Sequence, residues 1–257
     1  GVALLMSGVQ SEAMEMFEAV IKIQRLILDD GCIEVAQTLK RMGNIHLIRR
    51  SYIESICCYE RALDIEREKL GTCHSDVLGT MSKLAVALFK YGALEKSLTT
   101  LQEVLHIQEK TLGEKDLSVA STLDLLGGIC AKRSTHCHSK NAIDFYEEAL
   151  QVRICILGED HVLVGKTFSD MAAAHFEQNS FNMAESMCRN ALKIFKQANL
   201  PTNHKYMFEI NERIMRLNSA KSRTQVMHPR EKLGGWLPWT ENLRSAVSTS
   251  GWHLVDN

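Results

Sequence analysis

The chain has 257 residues, a net charge of −1 at neutral pH and a hydrophobic fraction of 45%. This length allows a large buried core, and the balanced charge argues against the basic surface that nucleic-acid recognition usually requires. No apolar stretch approaches the roughly 20 residues that a membrane-spanning helix needs. Eight cysteines without a regular framework predict mainly free thiols, so we expect a protein of the reducing cytoplasm.

The chain repeats itself at a step of 42 residues. Threonines recur at this step, with three extra residues in the last interval: Thr38, Thr80, Thr122 and Thr167. Leu-Gly pairs keep the same spacing and end at Gly71, Gly113 and Gly158. A period of this length is typical of a solenoid, in which each unit buries its apolar face by stacking on its neighbours. The pattern therefore predicts an all-α solenoid.

Each unit is predicted to contain two amphipathic helices. In the clearest unit, the first helix runs from Asp76 to Tyr91 with apolar residues at the three-and-four spacing of one helical face, and Gly92 ends it. The second helix runs from Leu94 to Thr111, and Gly113 supplies the positive φ that often ends a helix. We expect the array to occupy residues 1–200, as a partial first unit (1–31) and units at about 32–73, 74–115, 116–160 and 161–200.

Residues 201–218 form one further predicted helix, which would cap the exposed apolar side of the last unit. The periodicity then disappears, and residues 219–257 are predicted to be a flexible tail. The tail holds all three tryptophans of the chain, Trp236, Trp239 and Trp252. Because tryptophan contributes strongly to binding when buried, one hypothesis is that the tail docks into the groove of its own array.

The small, aromatic and glycine positions of these units resemble the tetratricopeptide repeat. The third unit carries the resemblance at Leu84-Ala85, Leu88, Gly92, Ser97, Leu101 and Val104, and the second at Met42-Gly43, Tyr52, Ser55, Tyr59 and Ala62. The 42-residue period, with Leu-Gly and then His or Asp, resembles the kinesin light chain type at Leu70-Gly71, His74-Ser75-Asp76-Val77 and Leu157-Gly158-Glu159-Asp160-His161. The resemblance implies a right-handed α-solenoid with a C-terminal capping helix.

In tetratricopeptide arrays the first helices line a concave groove that binds a peptide or a partner protein. This resemblance implies a groove surface with basic residues early, an acidic residue midway and an apolar anchor near Phe89. Its members are Gln37, Lys40, Asn44, Ser82, Phe89, Lys90, Asp124, Lys132, Lys166, Ser169 and Phe176. Kinesin light chain repeats typically carry paired asparagines on the first helix, but the matching pairs here are Lys40-Arg41, Ser82-Lys83, Asp124-Leu125 and Ser169-Asp170. That family's cargo specificity therefore does not transfer to this chain.

Several cysteines and histidines belong to residue types that can bind metals or take part in catalysis. Metal-ligating or polar side chains occur near the three-residue insertion, at Cys130, Arg133, His136, Cys137 and His138. Their spacing fits no established zinc pattern. Adjacent Cys57 and Cys58 point about 100° apart on a helix, which favours packing over a redox role. His46 and His175 share one repeat position and are interpreted as packing residues. No phosphate loop or nucleophile elbow is present, so neither a catalytic site, a metal nor a cofactor is predicted.

These observations predict a protein–protein interaction scaffold or adaptor that binds a protein or peptide in its groove, with a kinesin light chain-like cargo adaptor as one form of this role. The alternative is a regulatory repeat array of a larger signalling protein or enzyme, whose catalytic domain would precede Gly1. The first unit lacks most of its first helix, which is the feature that makes this alternative worth testing.

Overall fold

The computed structural model describes residues 12, 15–24, 31–133 and 141–227. After a helical segment at 15–24, the helices follow in the order α1 (Ile33–Ile48), α2 (Tyr52–Leu70), α3 (Ser75–Tyr91), α4 (Leu94–Leu112), α5 (Leu117–Arg133), α6 (Ala142–Leu157), α7 (Val162–Glu177), α8 (Phe181–Gln197) and α9 (Lys205–Met227). No β-strand occurs within these described ranges, and none of their helices is long and apolar enough to cross a bilayer. The all-α prediction is confirmed.

Each helix packs mainly against its neighbours in sequence, as a solenoid requires. The pairs α1–α2, α3–α4, α5–α6 and α7–α8 are called units 2 to 5 below, and within each unit the helices are its first and second helix. The first helices α5 and α7 also contact each other directly, as do α3 and α5. This packing lies within one compact part of the chain, Gly1–Leu217. In the other part, Asn218–Asn257, the described residues continue α9, and the Ser222 hydroxyl donates to the Asn218 carbonyl at 2.9 Å.

The apolar spacing explains which faces are buried. In α3 the side chains of Val77, Met81, Leu84 and Leu88 are all buried, and they belong to one core cluster shared with α2 and α4. The helix ends at Tyr91, as the pattern predicts. In α4 the helix extends one residue beyond the predicted end, and Gly113 follows it with a φ of 86°.

A His or Asp precedes α3, α5, α7 and α9 as the helix N-cap, whereas α1 begins after Cys32 without a side-chain cap. The Nδ1 atoms of His74 and His161 accept hydrogen bonds from main-chain N–H groups two residues later, at 3.2 and 3.1 Å. Asp116 does the same with a carboxylate oxygen at 2.7 Å. His204 repeats the geometry before α9, at 3.2 Å. Because a cap satisfies an N–H group that lacks an intrahelical partner, this position fixes where these four helices begin.

Three of the four recurring threonines join consecutive units, whereas the Thr80 hydroxyl donates to the Asp76 carbonyl of its own helix at 3.0 Å. The Thr122 hydroxyl donates to the Gln108 side chain at 2.7 Å, and Thr38 donates to Gln24 at 3.2 Å. In the same arrangement, the Arg153 guanidinium donates to Thr167. Each of these three bonds links the second helix of one unit to the first helix of the next. A buried hydroxyl needs a hydrogen-bond partner, and these three threonines find one in the preceding unit.

In units 2 and 4 the two helices approach closely where a glycine faces a tyrosine. A Cβ atom on Gly43 would lie 2.8 Å from Cε1 of Tyr59, and one on Gly127 would lie 3.0 Å from Cε1 of Tyr146. Both rings are buried. The equivalent pairs in units 3 and 5 are Ala85 with Leu101 and Ala172 with Cys188, and each pair lies in one buried cluster. Where the first helix carries alanine in place of glycine, the second helix thus carries a residue smaller than tyrosine.

Candidate partner-binding surface

The predicted groove residues divide into three groups by exposure. Three are exposed: Gln37, Lys90 and Lys132. Six are half-buried: Lys40, Asn44, Ser82, Phe89, Lys166 and Phe176. Asp124 and Ser169 are buried, with 8% and 4% of their surface exposed, and both bond to neighbouring helices. Buried and bonded side chains contribute little free surface, so the first two groups are the better candidates for contact with a partner.

Phe89, Lys90 and Lys132 form a compact group, called the Phe89 cluster. The Phe89 ring is half-buried and packs against a hydrophobic core. The ammonium of Lys90 lies 5.9 Å from its ring centroid, and that of Lys132, which α5 supplies, lies 5.8 Å away. Both distances are within the range of a cation–π contact. Each lysine is exposed and, among the described residues, in no ion pair.

Lys40 differs from these lysines because it has an internal partner. Its ammonium lies 2.5 Å from a carboxylate oxygen of Glu66, whose side chain is 1% exposed. Lys40 itself is 16% exposed. A buried carboxylate requires a nearby cation or hydrogen-bond donors. Lys40 is thus committed to the contact between α1 and α2.

Asp124 occupies the position in unit 4 that Lys40 occupies in unit 2. It accepts a hydrogen bond from Arg153 at 2.6 Å, and the side chains are 7% and 3% exposed. Burial raises the pKa of the Asp124 carboxyl, and the charges of Lys166 and Arg153 offset part of that rise. Arg153 was not among the predicted site residues. Its signal in the sequence is that a charged residue stands where unit 3 has Gln108.

The contacts of Asp124 continue across α7 to α9. Lys166 lies 3.5 Å from Asp124 and 2.6 Å from Asp170, which is 3.2 Å from Arg213 of α9. Arg213 also donates to Ser169. Burial opposes the effect, but Asp170 and Asp124 raise the pKa of Lys166, so its ammonium stays charged. The predicted residues Asp124, Lys166 and Ser169 therefore meet in one network that ties consecutive first helices together.

Phe176 lies beside a small crevice between α7 and α9. The crevice has a volume of about 80 Å³ and is also lined by Ala173, Arg213 and Leu217. The Phe176 ring is tilted against that of Phe181, with centroids 5.6 Å apart. An aromatic side chain with an arginine nearby is a common composition of binding surfaces, so Phe176 stays a predicted contact residue.

The described residues contain no group of three His, Cys, Asp or Glu side chains able to hold a metal ion. His136, Cys137 and His138 lie outside the described residues, as do the three tail tryptophans and their predicted docking. Six described cysteines are free, including exposed Cys57 and half-buried Cys58. Cys130 is disulfide-bonded, which the expectation of free thiols did not include.

His46 and His175 have the packing environment that the repeat position predicts. Burial lowers the pKa of both imidazoles. The Nδ1 atom of each is buried and, among the described residues, has no hydrogen-bond partner. Because burial disfavours the protonated form of each imidazole, neither histidine is well placed to accept a proton as a general base.

Comparison with known proteins shows similarity to proteins with helical repeats. The family model described as tetratricopeptide repeat matches residues 77–117, which cover most of unit 3. The chain is similar to Protein KINESIN LIGHT CHAIN-RELATED 1 of Arabidopsis thaliana, with 26% identity over 155 residues. This match covers 57% of the chain but 24% of the relative, so the chain spans about a quarter of that protein's length.

Two solved structures are similar in fold. The crystal structure of a Podosopora anserina putative kinesin light chain with nearly identical TPR-like repeats superposes with a TM-score of 0.62 and 18% identity, covering 76% of the chain and 92% of that structure. The apo form of RapI superposes with a TM-score of 0.62 and 17% identity, covering 88% and 83%. At these identities the likeness concerns the fold.

The repeat, the relative and the fold agree with one another. Such arrays belong to a family of non-catalytic repeat scaffolds, and their architecture supports a role in protein interaction. Residues 77–117 match the tetratricopeptide repeat, and the chain is similar in sequence to kinesin light chain-related proteins and in fold to a structure with kinesin light chain TPR-like repeats.

Proposed function

We propose that the chain is an adaptor that binds a peptide segment of a partner protein along its first helices. The proposal treats residues 1–200 as the repeat array and 201–218 as its cap. The observation that carries it is the Phe89 cluster, in which two exposed lysines from adjacent units flank one aromatic ring. Neither lysine is neutralised by an acidic partner within the described residues.

The chemistry of the Phe89 cluster favours a segment that combines an apolar side chain with carboxylates. The apolar side chain would pack on the Phe89 ring, and the carboxylates would pair with Lys90 and Lys132. Charged pairs at an accessible site speed association and select partners more than they add affinity. Lys40 contributes little to this charge because Glu66 already holds it.

The test is quantitative capture of partners by the full chain, followed by affinity measurement for each captured protein. Phe89→Ala and the pair Lys90→Glu with Lys132→Glu are compared with Lys110→Glu, an exposed charge reversal on the second helix of unit 3. We expect the first two variants to weaken binding about tenfold or more, because they remove the ring contact and reverse the local charge. The control should bind like the unaltered chain.

Equal capture by all variants would contradict the proposal. Circular dichroism and thermal unfolding should be unchanged in the lysine variants, because both ammonium groups are exposed. A kinesin light chain-like cargo role would be supported if the captured proteins also bring down a motor protein in a manner that depends on Phe89.

A further inference from the structure

A second surface lies between α2 and α4, beside the end of α3. It is a groove of about 460 Å³, called the outer groove, with apolar walls formed by Ile53, Ile56, Leu84, Leu88 and Tyr91. Ile53 is 57% exposed and Tyr91 is 54% exposed, although both are large and apolar or aromatic. No residue of the Phe89 cluster lines it. The outer groove is therefore separate from the surface proposed above.

The repeat itself does not require these apolar residues. At the position of Ile53, units 3 and 5 carry Glu95 and Asn182. At the position of Tyr91, unit 2 carries Arg49 and unit 4 carries Arg133. Ile53 and Tyr91, which stand where those units have polar residues, both lie in the outer groove. Large exposed apolar residues that cluster in one place are typical of interaction sites.

The walls favour a helical occupant over an extended one. All lining residues except Ala93 lie on helices, whose main-chain groups are bonded within the helix. The hydroxyls of Thr99 and Thr100, which also line the groove, donate to carbonyls of their own helix at 3.1 and 2.7 Å. An extended peptide would find few partners for its main chain here. A helix satisfies its own main chain and needs only side-chain contacts.

Charges on the two walls have opposite signs. Glu60 lies on α2 and Lys96 on α4, and both line the groove. Within the part of the chain that the structure describes, neither side chain is in an ion pair. We propose that the outer groove binds an amphipathic helix of a partner protein. Large apolar residues of that helix enter the groove, a basic residue faces Glu60 and an acidic residue faces Lys96.

The experiment uses a defined probe with the full chain. The probe is a fluorescent synthetic peptide with leucines on one helical face, lysines along one flank and glutamates along the other, and its control is a scrambled peptide of the same composition. Ile53→Glu and Tyr91→Arg copy residues that the chain uses elsewhere, so both variants should fold normally. We expect saturable binding to the unaltered chain, and at least about tenfold weaker binding to the double variant.

Cys57 provides an independent readout because it is exposed and lines the groove. Saturating probe should slow its reaction with a maleimide, whereas exposed Cys73, which does not line the groove, should react unchanged. Phe89→Ala should leave probe binding intact, which separates this inference from the proposed function. Unprotected Cys57, equal binding by the double variant or equal binding of the scrambled peptide would each overturn the proposal. The proposal would also be overturned if the chain formed dimers that Ile53→Glu converts to monomers, because the occupant of the groove would then be a second copy of the chain.

Discussion

Units 2 and 4 are built on the same pair of contacts but with their charges exchanged. Each places a glycine against a buried tyrosine, Gly43 with Tyr59 and Gly127 with Tyr146. Each also buries an ion pair between its first and second helix. In unit 2 the first helix supplies the cation, Lys40, and in unit 4 it supplies the anion, Asp124. Unit 3 has the neutral residues Ser82 and Gln108 at the same two positions.

The comparison teaches that complementarity matters at these positions, while the identity of each residue does not. Burying one charge without its partner is costly, and two like charges would be worse. The two ion pairs also differ in whether they contact the next unit. Lys40 and Glu66 form a local pair, whereas Arg153 contacts both Asp124 and the next first helix through Thr167.

Removing Arg153 should have the largest effect. Arg153→Met leaves Asp124 buried beside Lys166 alone, and breaking a buried pair typically costs about 3 to 5 kcal/mol. Glu66→Met should cost less, because Lys40 is 16% exposed and can turn toward solvent. Urea unfolding followed by circular dichroism measures both. Arg189→Met is the matched control, since its pair with Glu185 is exposed and such pairs contribute about 1 kcal/mol or less. A smaller loss for Arg153→Met than for Glu66→Met would refute the comparison.

Exchanging the charges of unit 2 should be tolerated only as a pair. Lys40→Asp alone places a carboxylate opposite buried Glu66, and we expect a loss of about 2 to 4 kcal/mol. Adding Glu66→Arg copies the arrangement of unit 4 and should recover most of that loss. A double-mutant cycle on thermal unfolding gives the coupling energy. Additive losses would mean that the local surroundings, and not the pair, select the sign of each charge.

Filling the close approach should destabilise unit 2 through packing. Gly43→Ala adds a Cβ atom within 2.8 Å of the Tyr59 ring, and overpacking of this kind typically costs about 1 to 3 kcal/mol. Tyr59→Leu combined with Gly43→Ala copies Ala85 and Leu101 of unit 3. We expect the double variant to be more stable than Gly43→Ala alone, although it loses the bond from the Tyr59 hydroxyl to Asn44. Melting temperatures decide the order, and no rescue would contradict it.

The smallest effect concerns pH and again separates the two units. Unit 2 has His46 where unit 4 has Cys130, and burial lowers the pKa of that imidazole below 6.5. The unfolded chain therefore binds a proton more readily than the folded one, so stability should fall as pH drops below about 6.5. His46→Leu, which copies Leu88 of unit 3, should weaken this dependence between about pH 7 and 5, while the contribution of His175, whose pKa burial also lowers, remains. An unchanged slope would exclude His46 as a source of acid sensitivity.

The sequence was sufficient to predict the helices of the array. The apolar spacing of α3 and the glycines beyond α3 and α4 specify those helices locally, and the structure agrees to within one residue at most of these ends. The recurring His or Asp before α3, α5 and α7 was visible as a pattern. Its role as an N-cap follows from the geometry of the side chain and the second N–H group beyond it.

The burial of individual polar residues was not predictable from the repeat. The repeat spacing places four polar residues on the same stripe of the first helices. Ser82 and Lys166 are half-exposed there, whereas Asp124 and Ser169 are buried. Their burial depends on Arg153 and Arg213, which lie 29 and 44 residues away along the chain. A periodic pattern describes one helix at a time. It carries no information on which distant side chain reaches across to it.

The pairing of glycine with tyrosine has a consequence for how such arrays diversify. Because each first helix matches the bulk of its own second helix, recombination that moves a whole unit carries both halves of the match. Recombination that moves one helix would set Ala85 against Tyr59, or Gly43 against Leu101, producing a collision or a void. Duplication and exchange by whole units is the route that leaves the fold intact, and the helix pair is then the smallest inheritable part.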